Sequence, residues 1–294
     1  MSIDVSKILN HSFTPTESHY TERDTSLYAL SIGAATDATD AAELPFVYEL
    51  SGKGHKALPT MAVTFPFEAL PQLFEMPGFT VNPMMIVHGE QYFELKRPLP
   101  TTATFTNHAH ISHIYDKGSG AVLIMETSTR DGDGAEIALN RSSFFVRGMG
   151  GFGGDRGPSG KINLPPAREP DATFQQQTQP NQALLYRLNA SGDRNPLHAD
   201  PQMAAIGGFD RPILHGLCTY GFAARAVLRQ MANNDVGRFK SMQARFSKHV
   251  FPGETLITEM WQESETRIIF HTKVAERDEI VLSNAAVELH NLSK

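Results

Sequence analysis

The 294-residue sequence predicts an α+β protein built from two copies of one unit, an antiparallel meander laid against a helix. Three observations support this. Strand-like runs separated by Gly/Asp turns recur in both halves, residues 217–232 carry apolar side chains at helical spacing, and a His-Gly motif with its neighbours occurs twice.

Residues 1–30 read as a polar lead-in followed by a short helix, TERDTSLYALSIGAAT, with Thr21 or Asp24 as its cap. From Phe46 to Phe74 the prolines at 45, 59, 66 and 71 predict short extended pieces rather than long helices. The run Pro83–Glu94 leads into the turn Lys96-Arg97-Pro98-Leu99-Pro100, and strands follow over Ala103–Tyr115, Ala121–Thr129 and Glu136–Arg147. Asp116-Lys117-Gly118-Ser119-Gly120 and Asp131-Gly132-Asp133-Gly134 supply the turns. Residues 148–170 are rich in Gly and Pro and read as a linker between an N-terminal half, 1–147, and a C-terminal half, 171–294. Gly148, Gly150 and Gly153 imitate a dinucleotide-binding fingerprint, but Pro158, Pro165 and Pro166 forbid the helix and returning strand it needs. Beyond the linker, Ala183–Leu188 reads as a short helix or an extended piece. In the Leu217–Ala232 helix, Leu217, Tyr220, Ala224 and Leu228 form one stripe and Arg225 and Arg229 another. Strands are expected over Phe239–His249, Glu254–Glu263, Arg267–Ala275 and Ile280–Leu289, broken at Pro252-Gly253 and Arg277-Asp278.

Ile86-Val87-His88-Gly89-Glu90 resembles Ile213-Leu214-His215-Gly216-Leu217, and each motif precedes a basic-then-proline turn and a meander. A curved antiparallel sheet wrapped on a central helix is the hot-dog unit, so two in one chain make a double hot-dog fold with two antiparallel sheets. The copies differ in length: His88 lies 12 positions before Pro100, whereas His215 lies 37 before Pro252. The difference matches the Leu217–Ala232 helix and its connection, so the N-terminal copy is expected to have lost its central helix. The space left either forms an apolar channel that could take a long apolar ligand, lined by Met84, Met85 and residues of Phe65–Phe79, or is refilled by those same side chains.

A composition 40% hydrophobic and 20% charged is that of a globular protein. The net charge of −6 comes without a basic block, which argues against a nucleic-acid partner. No apolar run reaches membrane-spanning length, and the N-terminus lacks a signal-peptide layout, so an intracellular, non-membrane protein is expected. The one cysteine, Cys218, heads an apolar helical run and reads as buried and inert. A metal site is not expected, because on a strand His108 and His110 share a face while His113 points the other way.

The richest stretch runs from Tyr186 to Arg225 and holds Asp193, Asn195, His198, Asp200, His215 and Gly216, broken by Pro196, Pro201 and Pro212. The prolines put these polar groups on loops, where an Asp five positions before a His can bring carboxylate and imidazole to one pocket as an acid/base pair. Gly216 stands where the long helix begins, so its N–H can polarise a carbonyl.

The sequence here reads YRL…SGD-x-NPLH-x-D followed by GFD-x-PILHGLCT-x-G, and it resembles the signature of the hydratase 2 family. These are the (R)-specific enoyl-CoA hydratases of the MaoC-like group, including the hydratase modules of peroxisomal multifunctional enzymes. Asn234-Asp235-Val236, Ala244-Arg245-Phe246 and Thr258-Glu259-Met260-Trp261 extend the likeness over most of the chain. One departure is that Asn189 and Ala190 stand between Leu188 and Ser191, where the family usually runs YRL directly into SGD or NGD; no role is therefore carried to Tyr186.

The resemblance implies the double hot-dog fold and reversible hydration of trans-2-enoyl-CoA to (3R)-3-hydroxyacyl-CoA in fatty acid β-oxidation. It implies Asp193 and His198 as the acid/base pair, with their two proton roles not divided, Asn195 as the group that holds the water, and Gly216 as the oxyanion donor. His88, Gly89, Lys117 and Phe246 match positions that contact the acyl-CoA substrate, and His215 is expected to shape the Gly216 loop. No cofactor beyond the CoA thioester substrate is expected. A homodimer, a 3R-hydroxyacyl-CoA dehydrogenase acting alongside, and a peroxisomal location are also implied, although the sequence ends in LSK rather than SKL and a cytoplasmic location is the alternative. The rival functions are a thioesterase on the same fold and a non-catalytic acyl-CoA-binding module.

Overall fold

The computed structural model describes residues 2–158, 162–189 and 194–291. Its centre is one ten-stranded antiparallel sheet with strand order β2-β5-β6-β7-β4-β9-β12-β11-β10-β8. The N-terminal half supplies β2 (Thr16–Tyr20), β4 (Ile86–Leu95), β5 (Ala103–Asp116), β6 (Gly120–Arg130) and β7 (Glu136–Arg147). The C-terminal half supplies β8 (Ala172–Gln177), β9 (Phe239–Phe246), β10 (Thr255–Ser264), β11 (Arg267–Val274) and β12 (Glu279–Leu289). A separate ribbon pairs β1 (Ser2–Ile3) with β3 (Phe79–Thr80).

The two expected sheets are thus fused into one. β4 pairs with β9 from Glu90↔Arg245 to Glu94↔Ser241, and Arg245 reaches across the seam to Glu90 at 2.6 Å. Two separate sheets would each present an unpaired edge here, and joining them satisfies both rows of backbone groups. Burial alternates along β5, β6 and β7 as expected for a sheet with one covered face.

Under the C-terminal strands lies α6 (Gly216–Ala232), buried on almost every side from Leu217 to Leu228. Such a helix belongs to the interior and not to an amphipathic surface. It ends at Asn233, whose φ of 52° places it in the left-handed region that closes helices. Arg225, within this apolar surface, is only 4% exposed; its guanidinium pairs with buried Glu43 and donates to the Ile32 carbonyl and to Gln176. Beside it Arg229 bonds Asp40 at 2.5 Å. A buried arginine without such partners would be strongly destabilising.

No helix follows His88, but the N-terminal sheet is not hollow. Pro59–Ala69 forms a buried 3₁₀ helix that continues into α3 (Leu70–Leu73), in place of the extended pieces expected from its prolines. Proline suits the first turn of a helix, where Pro59 and Pro71 sit, and the packing of Met61, Ala62, Val63 and Phe65 into the core outweighs the interior break at Pro66. A second apolar cluster joins Ile8 of α1 (Val5–Leu9), Leu73, Met76 and Phe79 to Ile111, Leu123 and Phe144 of the sheet. Residues upstream of the motif therefore cover the N-terminal sheet.

The remaining helices are α2 (Glu22–Ser31), α4 (Gln182–Tyr186) and α5 (Pro201–Ile206). α2 begins as expected, with the Asp24 carboxylate accepting from the N–H and the hydroxyl of Thr21 at 2.9 and 2.8 Å. Within the stretch read as a linker, Gly151 and Gly153 donate their N–H groups to Asp116 at 2.8 Å, and Met149 and Phe152 pack into the second cluster. These bonds hold the Asp116 carboxyl below its ordinary pKa.

His113 does not point away from His108 and His110. A bulge between Ile111 and His113 shifts the register by one residue, and all three histidines are exposed. Among the described residues no group of three or more His, Cys, Asp or Glu side chains is arranged to hold a metal ion. No helix among them is long and apolar enough to cross a membrane.

Candidate active site

The described residues that lead into α5, 194–200, are folded by their own polar side chains. Asn195 accepts the Leu197 N–H at 3.0 Å and so caps the 3₁₀ turn Pro196–His198. Asp200 accepts the Gln202 N–H at 2.8 Å and caps α5. These caps fix where His198 emerges. Its Nδ1 lies 2.9 Å from the Ile213 carbonyl oxygen, which can only accept, so Nδ1 carries the proton and Nε2 is the nitrogen that can take one up. The imidazole is 7% exposed and stacks on His215 with ring centroids 3.8 Å apart.

His215 is the N-cap of α6, and Gly216 is the first residue of that helix. The first N–H groups of a helix have no intrahelical acceptor, and the helix dipole adds partial positive charge there. A methyl group at Gly216 would lie 3.0 Å from the Phe246 ring, so this position has room for little beyond hydrogen. His88 meets the same phenylalanine from the other half, with centroids 5.0 Å apart. Gly89 lies at a bulge of β4 between His88 and Glu90.

These groups surround a cavity of about 410 Å³, within the size range of small-molecule sites. His88, Asn195, His198, Gly216 and Phe246 line it, while Gly89 stands beside it in the chain. Its walls include Thr64 and Phe67 from the 3₁₀ segment, and Met84, Ile86 and Val87 from the start of β4. Met85 is not among the lining residues. Asp193 lies outside the described residues, as does Ala190. Lys117 does not line the cavity; its ammonium donates to the carbonyls of Arg156 and Pro158 and lies over the Tyr115 ring. These bonds tie the Asp116–Gly120 turn to the Gly/Pro-rich segment.

Several lining residues were not singled out by sequence. Arg147, Lys248 and His249 bring basic groups to the cavity, and burial, followed by the Arg277 charge, lowers the His249 pKa. Arg147 ends β7 and Lys248 follows β9, so only the pairing of distant strands brings them to one place. Tyr186 is buried against His215 with ring centroids 5.0 Å apart, and Asn189 also lines the cavity. Cys218 is fully buried, and burial pushes its thiol well above the ordinary value, so it is no nucleophile.

Comparison with known proteins gives this geometry a family. Residues 18–148 match the hydratase 2 N-terminal domain of peroxisomal multifunctional enzyme type 2, and residues 161–285 match the MaoC-like domain. The chain is 45% identical to a probable enoyl-CoA hydratase 2 of Dictyostelium discoideum, covering 100% of this chain and 99% of that protein. It is 44% identical to the peroxisomal enoyl-CoA hydratase 2 of Arabidopsis thaliana, over 97% and 95%. Against peroxisomal multifunctional enzyme type 2 of Mus musculus the identity is 46%, over 96% of this chain but 38% of that longer protein. Among solved structures, a MaoC-like dehydratase from Phytophthora capsici superposes with a TM-score of 0.87 at 38% identity, covering 99% of this chain and all of that one. A double-hotdog protein of Mycobacterium tuberculosis at 11% identity, with a TM-score of 0.59 over 95% of this chain and 97% of that one, shares the fold alone. With both of its halves matched by the family's domains and its full length matched by hydratase relatives, the chain belongs to the enoyl-CoA hydratase 2 family and has its double hot-dog fold.

Proposed function

We propose that the cavity lined by His198 and Gly216 is where this hydratase adds water to trans-2-enoyl-CoA, giving (3R)-3-hydroxyacyl-CoA reversibly, as a step of fatty acid β-oxidation. The observation that carries the reading is the meeting of His198, Asn195 and the N-terminus of α6 at one cavity. In the hydration direction the thioester carbonyl accepts the Gly216 N–H, which stabilises the enolate-like charge as it develops; one such donor is typically worth roughly 3–4 kcal/mol. Water held by Asn195 adds its oxygen at C3. Asp193 and His198 act as a pair, one taking the proton from the water and the other delivering a proton to C2 on the same face, a contribution of about 10² to 10⁴ in rate. Two atoms of hydrogen and one of oxygen enter the product, and nothing is oxidised, so the reaction calls for no cofactor.

In the same reading the N-terminal half accommodates the acyl chain and the C-terminal half carries the chemistry, with the Gly/Pro-rich segment linking them. His88, Gly89 and Phe246 contact the acyl-CoA. Lys117 has only the family resemblance behind its role at CoA, whereas Arg147 and Lys248 bring positive charge to the cavity itself and suit the CoA phosphates. Fusions such as peroxisomal hydratase-dehydrogenase-epimerase support a 3R-hydroxyacyl-CoA dehydrogenase as the next enzyme, and the relatives named peroxisomal support that compartment. Association as a homodimer completes the proposal.

The test is incubation with trans-2-decenoyl-CoA while following both enoyl absorbance and free thiol. Absorbance falls without thiol release if the protein is a hydratase. Thiol release would favour the thioesterase reading, and binding without either change would favour an acyl-CoA-binding module.

A further inference from the structure

The C-terminus of α2 is a meeting point for the elements that frame the cavity. Helix ends leave carbonyls without intrahelical donors, and here other helices supply them. Gln182 of α4 donates to the Ser31 carbonyl at 2.6 Å, the Cys218 thiol of α6 approaches the same oxygen at 3.4 Å, and Arg225 donates to Ile32 at 2.9 Å. α6 comes this close because Gly221 has no side chain; a Cβ there would stand 2.6 Å from Ile32. Through Ser31, α2 thus touches α4, one turn before Tyr186, and α6, close to its start.

The third partner is Asn189, the first of the two residues by which this chain departs from the family spacing. Its amide nitrogen donates to the Tyr186 carbonyl at 2.7 Å and to the Ser31 hydroxyl at 2.9 Å. A carbonyl can only accept, so the amide orientation is forced. The Ser31 hydroxyl in turn donates to the Tyr28 carbonyl at 2.7 Å, which leaves its lone pairs for Asn189. Ser31 is 0% exposed and Asn189 7%, and Asn189 lines the cavity with Tyr186 and His215. A surface loop of variable length would not bury its extra amide on a relay reaching a helix of the other half.

We propose that Asn189 and Ser31 form a positioning pair: Asn189 ties the chain leaving α4 to α2, and so fixes Asn195 and His198 relative to Gly216. This rests on the hydratase reading of the cavity. A misplacement of about 1 Å costs on the order of 10²-fold in rate, so loosening the tie should lower kcat more than KM.

The experiment measures kcat, KM and thermal midpoint for Asn189→Ala, Ser31→Ala, the double variant and Gln182→Ala, with trans-2-decenoyl-CoA. Each pair variant should lose about tenfold in kcat with KM within about twofold, and the double variant should be no worse than the singles, because both remove one interaction. Ser31→Thr, which keeps the hydroxyl, should restore most of the loss. Gln182→Ala removes an equally buried bond to the same serine and should lower the midpoint without that loss of kcat. Unchanged kcat in folded pair variants, additive losses, or kcat falling in step with the midpoint in all variants would overturn the pair. An inactive wild type would instead overturn the hydratase reading.

Discussion

The chain contains the same His-Gly pair twice and uses it in two ways. His88-Gly89 lies within a strand, at a bulge of β4, whereas His215-Gly216 opens the buried helix α6. The residues after each pair decide the outcome. Glu90 to Leu95 alternate in burial with period two and continue the sheet, while the run from Leu217 to Leu228 is buried without a break and contains the helix formers Ala223, Ala224 and Ala226. Both pairs nevertheless arrive at Phe246, which packs on the His88 ring and over Gly216. A repeated motif thus marks a place where two halves converge, without fixing the secondary structure on either side.

Under the proposed function the C-terminal copy carries the chemistry and the N-terminal copy positions the substrate, and the largest expected effects lie in the former. Asp193→Asn and His198→Ala should each lower kcat by at least about 10²-fold, and the double variant should be little worse, since the two act as a unit. Steady-state kinetics on variants with unchanged circular dichroism would check this. Gly216→Ala comes next, at about tenfold or more, because its methyl must displace the Phe246 ring or the thioester. Chain-length selectivity should then divide two methionines that are neighbours in sequence. Met84→Trp should shorten the preferred acyl chain while sparing crotonyl-CoA, and Met85→Trp should not, since only Met84 lines the cavity. Each methylene excluded should cost roughly 0.8 kcal/mol, or about fourfold in kcat/KM. Gly89→Ala should have the smallest effect on kcat, within about twofold, and act on KM instead, because its methyl would stand 3.5 Å from the Ser143 carbonyl, an ordinary contact, and meet only the bound acyl-CoA. Equal effects at Gly89 and Gly216 would erase the distinction between the copies.

Local signals carried much of this into the sequence. The central meander, β5 to β7, follows its alternation and its Gly/Asp turns, and α6 follows its helical spacing, so these elements lie close to where the sequence predicts them. The covering of the N-terminal sheet was not legible, because nearly every residue of Pro59–Ala69 is buried, so no apolar periodicity marks the helix, and it is held by contacts that only the fold creates. β8, with the sequence ATFQQQ, is a polar edge strand recognisable only by its pairing to β10. At the site, Asn195, His198 and Gly216 fall within one stretch of sequence and were found together. Arg147, Lys248 and Thr64 come from three distant elements and are assembled by strand pairing and packing. Lys117 illustrates the opposite limit, since a match of position did not reveal that its ammonium is occupied by two carbonyls.

The central claim is that water and proton reach the double bond from one wall of one cavity. Hydration of trans-2-decenoyl-CoA in D₂O, with the configuration of the product at C2 and C3 read by NMR, tests it directly. The account predicts a 3R hydroxyl with deuterium added at C2 from the same face. A 3S product, or deuterium added from the opposite face, would contradict it.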